Sequence, residues 1–173
     1  MLGGVAELAR PRGAVRVAGE PVDQLVRGGS PLADDEFTHL LGPPDAAAGS
    51  VAFVCTHNSA RSQFAAARFT QLTGRPASSA GTHPAAAVHP GAIRAAGRFD
   101  LDLSTRTPMG YTELEAPDLL VSVCDRALEY GLPPHGRHLH WSIPDPSPMG
   151  VQSAFDTAFD LIDRRLLRLV GTP

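Results

Sequence analysis

A short apolar run ends in a cysteine at position 55, and a strong helix-forming segment begins a few residues later. Residues 51–54 are all apolar, two of them β-branched, and they follow a Pro- and Gly-rich stretch, which predicts a short buried strand. Residues 62–72 favour a helix that Gly74 and Pro76 stop. A strand, a short loop and a helix in this order direct backbone N–H groups and the helix N-terminus into one concavity. The stretch therefore predicts an anion site.

The residues of this loop suit a reactive thiol that faces a tetrahedral oxyanion. Cys55 would lie among N–H dipoles, the positive end of a helix and the Arg61 guanidinium, all of which favour the thiolate over the thiol. The guanidinium can bind two oxyanion oxygens at once, and the Ser62 hydroxyl can hydrogen-bond the sulfur. Asn58 suits a left-handed backbone position and a brace for the loop. The predicted oxyanion-binding residues are Thr56, His57, Asn58, Ser59, Ala60 and Arg61. The alternative is an inert buried cysteine at a strand end.

From residue 51 onwards the chain alternates predicted strands and helices. Further strands are expected at residues 77–82, 118–124 and 138–141, and further helices at residues 90–99, 124–130 and 152–170. This alternation predicts an α/β fold, a doubly wound four-stranded parallel sheet with helices on both faces. Gly81, near the end of the strand expected at residues 77–82, marks a place where the backbone can approach the site closely.

Residues 1–50 have a different pattern and predict a short, partly helical, linker-like N-terminal extension before a catalytic domain at residues 51–173. One short helix is expected at residues 20–27. A second is expected at residues 30–41, with Ser30 as its N-cap, Pro31 in its first turn and Gly42 after its end. The apolar side chains of this second helix would dock on the main domain, or the extension would serve as a tether.

A thiolate that attacks an oxyanion ester needs a proton donor for the leaving oxygen. In a fold of this kind the donor is expected on a loop that follows a strand. Asp145 lies between Pro144 and Pro146, which stiffen such a loop and hold the carboxyl in place. Asp145 is therefore the candidate general acid, and a solvated loop aspartate is the alternative.

The loop resembles the phosphate-binding loop of the low-molecular-weight protein tyrosine phosphatases and of the thioredoxin-type and mycothiol-type arsenate reductases. That pattern is Cys, five residues, Arg, then Ser or Thr, and Cys55, Asn58, Arg61 and Ser62 match it. Both families also carry Asp-Pro at the place of Asp145. The resemblance covers about residues 51–170 and implies an enzyme with Cys55 as its nucleophile.

Departures from the phosphatase pattern favour the arsenate reductase branch. His57 and Gln63 stand where the phosphatases usually have Gly and Pro, and residues 147–148 are Ser-Pro where the phosphatases usually continue with an aromatic residue. The resemblance implies that Cys55 attacks arsenate, that Arg61 stabilises the charge, and that Asp145 protonates the departing oxygen. The alternative is hydrolysis of a phosphomonoester through a phosphocysteine. A second alternative, of another class, is a catalytically idle oxyanion sensor or binding module.

Cys124 matches the position of the thiol that attacks the arsenic adduct in the thioredoxin-coupled reductases, and is a possible resolving thiol. Gly131 stands where the second relay cysteine of those enzymes would be. The resemblance therefore implies no bound cofactor but an external thiol, from mycothiol, glutathione or a thioredoxin system, and with it a possible redox partner protein. The alternative is that Cys124 is only a small buried residue with no part in the chemistry.

Composition narrows the classes of partner. The net charge of −3 argues against nucleic acid and anionic membranes as binding partners. No apolar run reaches membrane-spanning length and no signal peptide is visible, so a cytoplasmic protein is expected. The histidines lack the paired spacings of a zinc site and no Cys-x-x-Cys pair is present, so no metal is expected.

Overall fold

The computed structural model describes residues 16–17, 20–21, 49–132 and 137–171. The chain divides into two units, Met1–Pro43 and Pro44–Pro173. In the first unit, β1 (Arg16–Val17) pairs antiparallel with β2 (Glu20–Pro21). The prediction of a helix at residues 20–27 is wrong at its start, because residues 20–21 form a strand. Proline is tolerated at residue 21 because an edge strand leaves one side of its backbone unpaired. The remainder of that predicted helix and the helix expected at residues 30–41 lie outside the described residues, and a domain boundary at residue 50 stays a prediction.

The second unit is built on a four-stranded parallel sheet. Its strands are β3 (Val51–Cys55), β4 (Ala77–Gly81), β5 (Leu119–Ser122) and β6 (Arg137–His140). Their order across the sheet is β4-β3-β5-β6, and all three pairings are parallel. Every residue of β3 and β5 is buried, so both faces of the two central strands are covered. The doubly wound α/β sheet predicted from the sequence is confirmed.

The helices of this unit are α1 (Arg61–Thr73), α2 (Pro90–Gly97), α3 (Asp125–Glu129) and α4 (Gln152–Leu169). Helix α1 ends as predicted at Gly74, whose φ of 69° is left-handed and whose N–H bonds the Thr70 carbonyl. Helix α2 begins with Pro90 and is capped by His89, whose Nδ1 accepts the Gly91 N–H at 3.0 Å. Two 3₁₀ turns, Tyr111–Glu113 and Ser147–Met149, complete the regular structure among residues 49–132 and 137–171.

Aromatic side chains hold α1 and α4 against each other and α1 against the sheet. The Phe53 ring of β3 lies 5.9 Å from Phe69 of α1, and Phe64 of α1 stacks on Phe159 of α4 with centroids 4.0 Å apart. Each buried phenylalanine stabilises the fold by about 1.5–3 kcal/mol. Helix α2 packs on α4 through Gly91, where an added Cβ would lie 2.6 Å from the Phe155 ring. These contacts fix where α1 begins relative to the strand before it.

The carboxyl ends of β3, β5 and β6 meet at one edge of the sheet. Val54 is paired with Ser122, and Ser122 with His140, so the segments that follow these strands begin side by side. Cys55 is the last residue of β3, and the segments after β5 and β6 carry Cys124 and Asp145. Parallel strands place loops of this kind around one crevice, which is where ligands bind in open α/β sheets.

Candidate active site

The backbone of the loop between β3 and α1 turns its carbonyls outward. The carbonyls of Cys55, Thr56, His57 and Ser59 accept hydrogen bonds of 2.8–3.1 Å from the N–H groups of Thr82, His83, Ala85 and His89. In a trans peptide the N–H of the next residue points the opposite way. The N–H groups that therefore face the interior of the loop are those of Thr56, His57, Asn58 and Ala60. This arrangement is a ring of backbone donors suited to an oxyanion.

Gly81 at the end of β4 permits the close approach of strand and loop. A Cβ at this position would lie 2.8 Å from the Asn58 nitrogen and 2.8 Å from the Thr56 oxygen, nearer than real Cβ atoms come to backbone. The Gly81 carbon therefore packs directly on the loop. The sequence predicted such an approach here, and the geometry gives its reason.

The Cys55 sulfur lies at the floor of the loop and is almost completely buried. It receives the Asn58 backbone N–H at 3.2 Å and lies 3.1 Å from the Ser62 hydroxyl oxygen. Asn58 has a φ of 48°, in the left-handed region that the sequence predicted for it. The Asn58 N–H and the Ser62 hydroxyl are thus both within hydrogen-bond distance of the sulfur. Hydrogen bonds to sulfur stabilise the thiolate relative to the thiol.

The Asn58 side chain is fully buried and holds the loop in place through hydrogen bonds. Its Nδ2 donates to the Ser62 hydroxyl at 2.8 Å, and its Oδ1 accepts from Gln63 Nε2 at 2.9 Å and from the Met109 N–H at 2.8 Å. Gln63 Nε2 also donates to the Thr107 carbonyl at 3.2 Å. In the sequence, Gln63 stands out only as a departure from the phosphatase pattern. Its burial inside the first turn of α1 shows a structural task that the pattern alone did not reveal.

Arg61 and Asp145 come together, as the predicted site requires. One guanidinium nitrogen lies 3.3 Å from the Asp145 carboxylate, and another donates to the Ile143 carbonyl at 2.9 Å. These contacts use two of the five guanidinium N–H groups, so donors remain for an oxyanion. Asp145 itself is part-exposed, and its Oδ1 accepts the Ser147 N–H at 3.0 Å, which holds the carboxylate in place.

Cys124 is the N-cap residue of α3 and lies next to Thr56, the first residue of the loop. Its sulfur is 3.4 Å from the Thr56 hydroxyl oxygen and is as buried as that of Cys55. Both cysteines are free thiols. Gly131, where the sequence lacks a second relay cysteine, has a φ of 77° beyond the end of α3. The structure thus brings one thiol, Cys124, next to the loop.

A polar network that the sequence did not reveal lies beside Cys124. The Ser122 hydroxyl lies 2.9 Å from His138 Nε2 and 2.8 Å from His140 Nδ1, and His140 Nε2 lies 3.0 Å from an Asp125 carboxylate oxygen. Burial lowers the pKa of His138, and the neighbouring His140 lowers it further. The two histidines share one face of β6, because alternate residues of a strand point to the same face. Their hydrogen bonds to Ser122 join β6 to β5.

The structure also bears on metal ligands, on the burial of the oxyanion-binding residues and on membrane-spanning helices. Among residues 49–132 and 137–171, no three His, Cys, Asp or Glu side chains form a group able to hold a metal ion. Of the predicted oxyanion-binding residues, His57 and Ser59 are half-buried, while the other four are buried. In the described part of the chain, no helix is both long and apolar enough to cross a membrane.

Comparison with known proteins places this site among enzymes of known chemistry. The family model of low molecular weight phosphotyrosine protein phosphatase matches residues 50–172. An arsenate reductase of Bacillus cereus is 34% identical over 130 residues, which are 71% of this chain and 95% of that protein.

Solved structures agree with that match. Arsenate reductase from Archaeoglobus fulgidus superposes with a TM-score of 0.62 at 30% identity, covering 70% of this chain and 99% of that one. The tyrosine phosphatase Wzb from Escherichia coli K30, in complex with phosphate, superposes with a TM-score of 0.63 at 25% identity, covering 72% of this chain and 92% of that one. The chain is therefore similar to proteins of two activities.

Proposed function

Because the chain belongs to the low molecular weight phosphotyrosine protein phosphatase family, whose members are enzymes with a cysteine nucleophile, we propose that it reduces arsenate with an external thiol. One observation carries the proposal. The Cys55 sulfur lies in a loop whose amides face inward, with the Asn58 N–H and the Ser62 hydroxyl on the sulfur, and the Arg61–Asp145 pair stands beside that loop. These contacts support Cys55 as the nucleophile, the loop as the oxyanion site and Asp145 as the proton donor.

Two observations favour arsenate over a phosphate ester as substrate. The arsenate reductase of Bacillus cereus is 34% identical to this chain over 95% of the reductase's own length. In addition, Ser147 and Pro148 follow Asp145-Pro146, and neither can form an aromatic wall for a phosphotyrosine ring. Free arsenate has no ring that would need such a wall.

The first chemical step follows from the contacts around Cys55. Arsenate enters the ring of N–H groups, and the Cys55 thiolate attacks arsenic, forming a sulfur–arsenic bond. Asp145 donates a proton to the departing oxygen, which leaves as water. The inward N–H groups and the Arg61 guanidinium stabilise the negative charge of the oxyanion as the bond forms. Ser62 stabilises the sulfur both as attacking and as leaving group.

The second step needs two reducing equivalents that an external thiol supplies. The thiol attacks the Cys55 sulfur, the sulfur–arsenic bond breaks, and its electron pair stays with arsenic, which leaves as arsenite. A mixed disulfide forms, and a second thiol molecule restores Cys55. A small thiol of the mycothiol class is favoured, because Gly131 provides no second relay cysteine. Glutathione or a thioredoxin system are the alternatives, and Cys124 is the candidate resolving thiol in the last case.

The same residues support a second candidate function, hydrolysis of a phosphomonoester. Arsenate and phosphate have nearly the same shape and charge, and the structurally similar phosphatase Wzb is in complex with phosphate. Cys55 would form a phosphocysteine, and Asp145 would first protonate the leaving alcohol and then act as base on water. This route needs no reductant.

A side-by-side assay separates the two functions. Arsenate reduction is measured with mycothiol, with glutathione and with a thioredoxin system, and hydrolysis of phosphotyrosine is measured with the same protein. We expect arsenate turnover with a small thiol to exceed phosphotyrosine hydrolysis. Efficient hydrolysis without arsenate turnover would show that the second function is correct, and failure of both would contradict the proposal.

A further inference from the structure

Gln63 is a buried amide at the third position of α1, one residue beyond Ser62. We propose that Gln63 is a positioning residue, which fixes the direction of the hydrogen bond from the Ser62 hydroxyl to the Cys55 sulfur. The inference rests on the proposed role of Cys55 as nucleophile, but not on the identity of the substrate. It assigns a task to a residue at which the chain departs from the phosphatase pattern.

Two backbone groups fix the orientation of the side-chain amides. The Met109 N–H can only donate, so the Asn58 atom 2.8 Å from it must be the carbonyl oxygen. The Thr107 carbonyl can only accept, so the Gln63 atom 3.2 Å from it must be the amide nitrogen. Amide oxygen and nitrogen are interchangeable in shape, and only their hydrogen-bond partners decide between them. The Thr107 carbonyl therefore orients Gln63 as a donor to Asn58, and Gln63 and the Met109 N–H together hold the Asn58 oxygen on their side.

The orientation of Asn58 decides the orientation of the Ser62 hydroxyl. With its oxygen bound to Gln63 and Met109, Asn58 presents its Nδ2 to the Ser62 oxygen at 2.8 Å and can only donate. The Ser62 oxygen is then an acceptor towards Asn58, and its single proton is left for the Cys55 sulfur at 3.1 Å. Ser62 thus donates to the thiolate.

A cation stands at the far end of the same chain of donors. Arg106 lies 3.5 Å from the Gln63 Oε1, at the long end of a hydrogen bond. Burial lowers the pKa of Arg106, but a guanidinium keeps its charge at neutral pH. From Arg106 through Gln63, Asn58 and Ser62 every donor points towards Cys55. Chains of aligned hydrogen bonds strengthen one another in a low-dielectric interior.

The test compares the reactivity of Cys55 in wild-type protein and in Gln63→Met, which keeps the volume but removes the amide. The rate of Cys55 alkylation by iodoacetamide is followed by peptide mapping across pH, without arsenate or phosphate. At mildly acidic pH we expect Gln63→Met to lower the rate about three- to tenfold, the loss expected for weakening one hydrogen bond to a charged group. At alkaline pH the rates should converge, because the thiol is then ionised in both proteins.

Gln71→Met is the matched control. Gln71 lies on the same helix, accepts a hydrogen bond from Arg68 and donates to the Phe99 carbonyl, so it has partners of the same kinds far from the sulfur. Its substitution should leave the alkylation profile unchanged. The Ser62→Ala background tests the route: if Gln63 acts through Ser62, then Gln63→Met lowers the rate no further once the hydroxyl is gone.

Three results would overturn the inference. The first is a wild-type pH profile in Gln63→Met, and the second is an equal loss at all pH values, which would indicate changed access rather than changed ionisation. The third is the same loss in the Ser62→Ala background. If Gln63→Met fails to fold, Gln63→Glu keeps the shape but cannot donate to Asn58, and an unchanged profile there overturns the inference equally. Because the assay contains no substrate, it stands whether or not arsenate reduction is found.

Discussion

Cys55 and Cys124 make a natural comparison, because both are buried thiols at the carboxyl ends of neighbouring parallel strands with a helix after them. Their surroundings differ. Five residues separate Cys55 from α1, and the sulfur has the Asn58 N–H and the Ser62 hydroxyl as neighbours. Cys124 is itself the N-cap of α3, and its sulfur has the Thr56 hydroxyl at 3.4 Å.

The difference shows that burial next to a helix N-terminus is not sufficient to build a ring of inward-facing N–H groups. The loop after Cys55 is long enough to curl, and its carbonyls are held outward by the segment from Thr82 to His89. Cys124 has no such loop, and the helix behind it has only five residues. We therefore expect substitution of the two cysteines to have very different consequences.

The largest expected effect is that of Cys55→Ser. A serine hydroxyl is far less nucleophilic than a thiolate and cannot form the sulfur–arsenic bond, so turnover of arsenate and of phosphotyrosine should fall by about 10⁴-fold or more. Initial-rate assays with each substrate measure this. If Cys55→Ser leaves both activities unchanged, Cys55 is not the nucleophile and its comparison with Cys124 loses its basis.

Asp145→Asn removes the proposed proton donor, the carboxyl group that pairs with Arg61. We expect kcat to fall about 10²- to 10³-fold, with a much smaller change in oxyanion affinity, because the amide cannot protonate the leaving oxygen. Steady-state kinetics and inhibition by phosphate measure the two quantities. Asp163→Asn is the control, since Asp163 also pairs with an arginine, Arg68, at 2.7 Å. Equal rates in Asp145→Asn and wild type would remove Asp145 from the mechanism.

Gly81→Ala tests whether the shape of the loop depends on close packing against β4. The added Cβ would lie 2.8 Å from two loop backbone atoms, so the loop must move, at a cost of about 1–3 kcal/mol in the free energy of unfolding. Phosphate affinity should fall about tenfold. Gly97→Ala is the control, because nothing lies within 4 Å of its added Cβ, and it should not destabilise the protein. Urea unfolding that gives both variants the same stability would contradict this packing.

The smallest effect is expected for Cys124→Ser. Serine is a good N-cap residue and keeps a polar atom near Thr56, so stability should hardly change. With a small external thiol, arsenate turnover should change less than about threefold. Assays with small thiols and with a thioredoxin system measure this. A loss of arsenate turnover with phosphatase activity preserved would show instead that Cys124 takes part in a thiol relay.

Local sequence patterns were enough to predict the fold and the layout of the site. Apolar runs, Gly74 and Pro90 located strands and helix ends to within a few residues, because these signals act on the backbone at their own positions. The five-residue spacing from Cys55 to Arg61 predicted the loop, and the prolines around Asp145 predicted a fixed carboxylate near it. The left-handed conformation of Asn58 was predicted from its residue type, and the close backbone approach at Gly81 from its lack of a side chain.

Contacts between distant segments could not be predicted in this way. The hydrogen bond from Met109 to Asn58 and that from Arg61 to the Ile143 carbonyl join residues that only the packed fold brings together. Gln63 illustrates the limit, since its helix position was clear but its partners were not. The network of Ser122, His138 and His140 likewise depends on the register of β5 and β6.

Competitive alkylation of the two cysteines tests most directly whether Cys55 alone is the nucleophile of an oxyanion site. Native protein is treated with limiting iodoacetamide at mildly acidic pH, with and without phosphate, and both cysteines are quantified by peptide mapping. We expect Cys55 to be labelled first, phosphate to protect it, and Cys124 to remain unlabelled in either condition. Faster labelling of Cys124, or labelling of Cys55 that phosphate does not slow, would contradict this assignment.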